Sequence, residues 1–235
     1  MYGLALLNSD YSGDCVTVRR ASDNATQNIG FDGQDLDIAA LETFCASTDG
    51  FVTTWYDQSG NGANATQTTA SSQPKIVSSG SVILENGKPI IQNVAGSSFD
   101  VNQALDTAEP VMQFAVIKNE NTRAILNTYG SFDLVFAAED ASTSTVVFNK
   151  SVDNSYLNSN SKTFVDRNDA WDSTINQSLV TFYWSNPVYS QLAKIGWNST
   201  SWSTPSMQTL IFYNSDQSSN RTGIETALND YYNIF

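Results

Sequence analysis

Apolar and polar positions alternate with a period of two along much of this chain, in short runs separated by Asn, Ser, Asp and Gly clusters. The stretches 3–7, 15–19, 27–31, 51–56, 74–77, 89–94 and 111–118 read this way, and in the second half 132–137, 145–149, 162–165, 179–184, 191–195 and 207–213 follow. Successive side chains of a strand point to opposite faces, so runs rich in β-branched and aromatic residues predict half-buried strands. In FVTTWY at 51–56 a regular pleat puts Val52, Thr54 and Tyr56 on one face and Phe51, Thr53 and Trp55 on the other. Ser59-Gly60 and Asn61-Gly62 then accept positive φ cheaply, which predicts a reversal before 63–67 resumes an extended run.

Two stretches carry a helical period instead. Over 36–46, Ile38, Leu41 and Cys45 share a face, and Asp35 or Asp37 stands ready to cap. Over 218–232, Ile224, Leu228 and Tyr231 or Tyr232 form one stripe that would lie on a sheet. A parallel α/β fold needs helices between most strands, so the pattern predicts an all-β sandwich of two antiparallel sheets, one domain over 1–235. Its helices are the short one near 36–46 and the C-terminal one near 218–232. Stretches 137–144 and 151–161 are polar enough to be expected as loops.

Charge and composition narrow the chemistry. Twenty-four acidic against 11 basic residues leave a net charge of -13, which repels phosphate backbones and anionic lipid, so neither nucleic acid nor membrane insertion is expected. No run approaches the roughly 20 apolar residues of a spanning helix, and no signal peptide is seen. The chain has no histidine, which removes Ser-His-Asp and Cys-His catalysis and leaves acid–base work to carboxylates. Cys15 and Cys45 are too few for a zinc centre, and the alternating context of Cys15 favours buried thiols over a bridge. Asp32, Asp35 and Asp37 alternate in FDGQDLD and could offer oxygens to calcium, but a later bidentate glutamate is missing and helix capping accounts for them more simply.

The segments RASDNATQNIGFDG, LETFCAS and WYDQSGNGANATQ, within 20–67, resemble the N-terminal half of the catalytic domain of fungal α-L-arabinofuranosidase B. That resemblance implies a concanavalin A-like jelly roll. The closing segment LIFYNSDQSSNRTGIETALNDYYNIF resembles the last strand and helix of related domains in phage and marine-microbe surface proteins. Where such enzymes carry a nucleophilic glutamate the nearest counterpart is Asp133; at the acid/base position the chain reads Asn198; where they have vicinal cysteines it has Ile125-Leu126. Retaining glycosidases need two carboxyl groups about 5–5.5 Å apart. General acid catalysis contributes about 10²–10⁴-fold, so these departures lead to the expectation that catalysis is lost.

The expected function is therefore a non-catalytic surface module of a phage virion, in a tail fibre, receptor-binding or capsid-decoration protein. It would sit on the virion surface or outside the cell and meet a cell-surface glycan or other virion proteins; a homo-oligomer is compatible with that role. No catalytic residue, metal site or cofactor is expected. Glycan stacking falls to Trp171, Trp197 and Trp202 beside Asp133 and Asn198, whereas Trp184, on an alternating strand, reads as core. Two alternatives stand: an arabinofuranosidase-like hydrolase in which Asp166, Asp169 or Asp172 supplies the missing acid, and an assembly protein with no sugar site.

Overall fold

The structure is a computed structural model, and it describes residues 1–92, 96–104, 110–120, 123–129, 133–134, 137–139, 141–144, 152–185, 191–196 and 205–235. Its principal strands are β1 (Tyr2–Gly3), β2 (Val16–Arg20), β3 (Thr26–Ile29), β4 (Gly50–Trp55), β5 (Ala65–Thr66), β6 (Lys75–Ser78), β7 (Ser98–Ala104) and β8 (Val111–Lys118). They continue with β9 (Asn127–Tyr129), β10 (Asp133–Leu134), β11 (Asn154–Leu157), β12 (Ser178–Trp184), β13 (Gln191–Gly196) and β14 (Ser206–Tyr213). The helices are α1 (Ile38–Cys45), α2 (Arg167–Thr174) and α3 (Arg221–Tyr232).

Two antiparallel sheets form a sandwich, as the alternation predicts. One has six strands in the order β1, β14, β8, β12, β11 and the short Asn160–Ser161. The other has ten: β10, β9, β13, β7, β5, β4, β2, β3 in a row, with β6 beside β4 and Ser81–Val82 beside β6. Between them lies the main core, built from Val16, Val52, Trp55 and Phe99 of the larger sheet and Ala115, Phe182 and Leu210 of the smaller. A second apolar cluster fills the other face of the six-stranded sheet, where Leu228 and Tyr232 of α3 meet Phe114, Val116 and Ile211. This is why β8 is buried at every position from Val111 to Ile117: it has no wet face. The first turns of α3 are tied down by polar contacts, Thr181 Oγ1 donating to the buried Glu225 at 2.7 Å and Arg221 pairing with the same carboxylate.

Among the described residues, no second apolar layer packs on the outer face of the ten-stranded sheet. In β2, Val16 and Val18 point into the core while Thr17 and Arg19 point out. The same holds in β7, where Phe99 and Val101 are buried and Asp100 is exposed; SFDV alternates too, but the runs predicted above do not include it. In β4 the regular pleat fails. Thr17 pairs with Thr54 and Val18 with Val52, so Thr53 is an extra residue, and the bulge turns Val52 and Trp55, three apart, to the same buried side.

Several expectations shift. The helix α1 occupies 38–45, with Asp37 as its cap accepting from Ala40 N at 2.9 Å, and α3 starts at Arg221. The helix α2 was unexpected because it buries only Ala170 and Thr174, too little for an apolar stripe. Stretch 151–161, expected as a loop, forms β11 and its hairpin partner on the edge of the smaller sheet, and Ala137–Glu139 pairs with Arg123–Ile125. Stretch 162–165 forms no ladder and runs into α2, and 89–92 contributes only Lys88–Pro89 and isolated bridges at Ile91 and Gln92. Stretch 145–149 lies outside the described residues. Cys15 and Cys45 are buried free thiols; burial pushes the Cys15 thiol well above its ordinary value. Trp184 is core, 5% exposed.

Candidate functional site

The motif WYDQSGNGANATQ is built as a brace. Asp57, 3% exposed, accepts from the Met1 ammonium at 2.7 Å, from Ser59 N at 3.0 Å and from Ser59 Oγ at 2.6 Å. Burial opposes its ionisation, but the Met1 ammonium and the Ser59 donors outweigh it and hold the carboxyl below the usual range. Gln58 is fully buried. Its Nε2 donates to Gly3 O at 2.9 Å and Ala5 O at 3.0 Å, and its Oε1 accepts from Leu7 N at 2.7 Å. Gly60 and Gly62 take φ of 84° and 72°, which a side chain would strain. The buried side chains of Asp57 and Gln58 are thus spent on structure, and Asp57 has no acid to lend.

Two of the segments singled out by the resemblance, those at Leu126 and Gly196, meet near the other edge of the same sheet. Gly196, the last residue of β13, donates its amide to Leu126 O at 2.8 Å and lies opposite Ser98 of β7. Leu126 is fully buried, a hydrophobic plug where vicinal cysteines were sought. Asp133 is in β10, opposite Tyr129 of β9, which in turn lies opposite Leu192. Its backbone is therefore four residues down the strand direction from Gly196, roughly 13 Å. The side chain of Asp133 and all of Trp197, Asn198 and Trp202 lie outside the described residues.

Gln67, the last residue of the motif, connects the two ends. It is 4% exposed; its Nε2 donates to Ser98 O at 2.7 Å and its Oε1 accepts from Thr69 N at 2.9 Å. Gln73 Nε2 donates to Gln67 O at 3.0 Å, and Arg19 Nε to Gln73 Oε1 at 2.6 Å. The Ser98 hydroxyl, fully buried opposite Gly196, has no hydrogen-bond partner among the described residues. Sequence reasoning passed over both residues, and the only signal for Gln67 was an amide at the end of an otherwise β-forming run.

The alternative carboxylates are occupied. Asp166 caps α2, accepting from Asp169 N at 2.8 Å; Asp172 accepts from Asn168 Nδ2 at 2.9 Å. Burial works against the charged form of Asp169, but Lys162 at 2.6 Å and the Val165 amide at 3.0 Å keep its carboxyl below the usual range. Trp171 is half-buried on α2 and packs against the main core. Of the three aspartates weighed for calcium, Asp37 is taken by the α1 N-terminus and Asp35 by Lys88 and Tyr231, while Asp32 is exposed beside them. Among the described residues no cluster of three metal-ligating side chains occurs.

A continuous row crosses the open face of the sheet. Lys194 of β13 lies opposite Asp100 of β7, Asp100 opposite Thr66 of β5, Thr66 opposite Thr54 of β4, Thr54 opposite Thr17 of β2, and Thr17 opposite Asn28 of β3. Residues opposite one another in an antiparallel ladder share a face, so these six side chains stand side by side. Lys194 and Asp100 form an ion pair; Thr17 Oγ1 donates to Asn28 Oδ1 at 2.8 Å.

Comparison with known proteins matches the same elements. A sequence profile for the catalytic region of α-L-arabinofuranosidase B matches residues 4–98. A probable α-L-arabinofuranosidase B of Aspergillus clavatus is 48% identical over 63 residues, 26% of this chain and 12% of that protein. The α-L-arabinofuranosidase B of Aspergillus niger is 43% identical over 63 residues, 26% of this chain and 13% of its own length. The fold likeness extends further. A GH54 α-L-arabinofuranosidase soaked with a cyclic sulfate inhibitor superposes with a TM-score of 0.54 at 16% identity, and an arabinofuranosidase complexed with arabinofuranosyl-α-1,2-xylobiose with 0.58 at 15%. Each superposition covers 95% of this chain and 61% of the other. The chain is thus similar to the arabinofuranosidase B catalytic domain, spanning only part of those proteins.

These matches correct the expectation of a non-catalytic phage module, whether tail fibre, capsid decoration or receptor-binding domain: the profile, these relatives and the superposed structures are all those of glycosidases, and none of them is a virion protein. The expectation that the chain is not an enzyme falls with it. That expectation gave the departures at Ile125-Leu126 and Asn198 more weight than the shared signature over 20–67, and the matches reverse that weighting.

Proposed function

We propose that the chain is an arabinofuranosidase-like glycoside hydrolase acting on α-L-arabinofuranosides outside the cell, with Asp133 as the carboxylate that attacks the anomeric carbon. The observation that supports it most is the profile match over 4–98, which runs through β2, β3, β4, β5 and β6 of the sheet that also holds Asp133. Attack by Asp133 forms a glycosyl ester and expels the leaving oxygen; water then releases the sugar and restores the carboxylate. Asn198 donates no proton to that oxygen at neutral pH. The chemistry therefore favours leaving groups that depart as anions, and slows for the alkoxide of another sugar by a factor of about 10²–10⁴.

The test is 4-nitrophenyl α-L-arabinofuranoside, whose nitrophenolate departs without a proton. Release by the wild-type chain, abolished in Asp133→Asn with the fold retained by circular dichroism, is the expected result. No release from the wild type, or release that survives Asp133→Asn, overturns the assignment.

A further inference from the structure

We propose that the open face of the ten-stranded sheet is a binding track for a neutral polysaccharide, anchored at a corner formed by Tyr11 and Phe31 and running along the Asn28-to-Lys194 row toward the strands that hold Asp133. The direction of the track rests on the glycosidase reading above; its existence rests on the face itself.

The corner lies next to the end of β3. The rings of Tyr11 and Phe31 stand 6.5 Å apart at 84°, both half-buried, and wall a concavity of about 290 Å³ floored by Ser12, Gly13 and Gly30. Gly30 needs no glycine for its own sake. Its φ lies outside the left-handed region, and an added Cβ would meet no atom within 4 Å. The missing side chain leaves the corner open. Asp14 borders the same concavity and accepts from Asn28 Nδ2 at 2.7 Å, which joins the corner to the row without a break.

The row suits sugar hydroxyls. A threonine hydroxyl both donates and accepts, as a sugar hydroxyl does, and Thr54 and Thr66 make no side-chain hydrogen bond among the described residues. Aromatic walls cover the C–H faces of a sugar ring, a role that apolar and amphipathic rings serve well. The six positions span five strand spacings, about 24 Å at roughly 4.8 Å each, a length suited to several linked sugars rather than one. Charge decides which polymer. The ion pair of Asp100 and Lys194 neutralises itself, and a chain of net charge -13 repels polyuronides, so a neutral backbone is favoured.

Affinity electrophoresis in native gels reads the track directly. The wild type is expected to be retarded by a neutral arabinoxylan and not by polygalacturonate. Thr54→Val/Thr66→Val, which keeps shape and removes two hydroxyls, and Gly30→Leu, which fills the corner, should each weaken that retardation about tenfold. Thr54→Ser/Thr66→Ser should retain it, and all variants should melt within about 2 °C of the wild type. Absence of retardation of the wild type, equal retardation by polygalacturonate, or wild-type binding by either weakened variant overturns the track. The gel needs no turnover: retardation without nitrophenolate release would sink the hydrolase and leave the track, and release without retardation would do the reverse.

Discussion

Among the described residues, apolar layers pack on both faces of the six-stranded sheet and on one face of the ten-stranded sheet, and the sequence of each follows from that difference. A strand with no wet face gains nothing from alternation, so β8 reads VMQFAVI, buried throughout. A strand with one wet face alternates, as Val16, Thr17 and Val18 do. The consequence is a division of labour: the covered sheet, sealed by α3, spends its side chains on packing, and the half-covered sheet has a whole face left for chemistry. Buried amides tie distant segments together in both sheets, Gln67 to Ser98 O in the larger and Gln208 to Pro89 O in the smaller, but among the described residues only the larger carries a polar row, from Lys194 to Asn28, on its outer side.

Matched truncations should separate the sheets most sharply. Phe114→Ala, in the doubly covered strand, is expected to cost about 3–5 kcal/mol by urea unfolding. Phe51→Ala, on the open face under Arg19 at 4.9 Å and Lys75 at 5.7 Å, is expected to cost about 1 kcal/mol. Equal losses would break the contrast. A cost of about 2 kcal/mol, between those two, is expected for Gln67→Leu, which strands the Ser98 carbonyl and the Thr69 amide; a neutral result would mean that the polar ties of the larger sheet contribute nothing.

The smallest effect concerns acid. Asp57 has a folded pKa held below its ordinary value of 3.8, so the stability it contributes is complete above that value and is lost as pH falls through the lower folded one. Asp57→Asn should give a shallower decline of thermal midpoint below about pH 4. An unchanged acid limb would mean that Asp57 plays no part in acid stability.

The sandwich was legible because alternation is a local signal: β8, β12, β13 and β14 fall within a residue or so of the runs that announced them. The bulge at Thr53 was not, because register depends on the partner strand, and neither was α2, whose docking rests on polar contacts such as Asn168 to Ala141 N. The site was legible only in part. The sequence pointed to Asp133 and to positions near Leu126 and Gly196, and the strands bring the latter two together. What eluded it was the row across the open face, whose members lie on six strands from residue 17 to residue 194 and share a face only once the ladders are paired.

Tyr2 pairs with Leu210. On a ribosome adding about 5–20 residues per second, that partner arrives roughly 10–40 s after Tyr2 is made. The hairpins of β2, β3 and β4 need no such wait, since their partners are close in sequence. During synthesis the half-covered sheet therefore begins to assemble first, with Val111–Lys118 and its unpaired apolar edge emerging well before β14 can pair with it. The chain's hazard is thus one of timing: an apolar strand with no wet face waits in mid-synthesis for both of its neighbours, and a chaperone that holds residues 111–118 would protect yield without changing final stability.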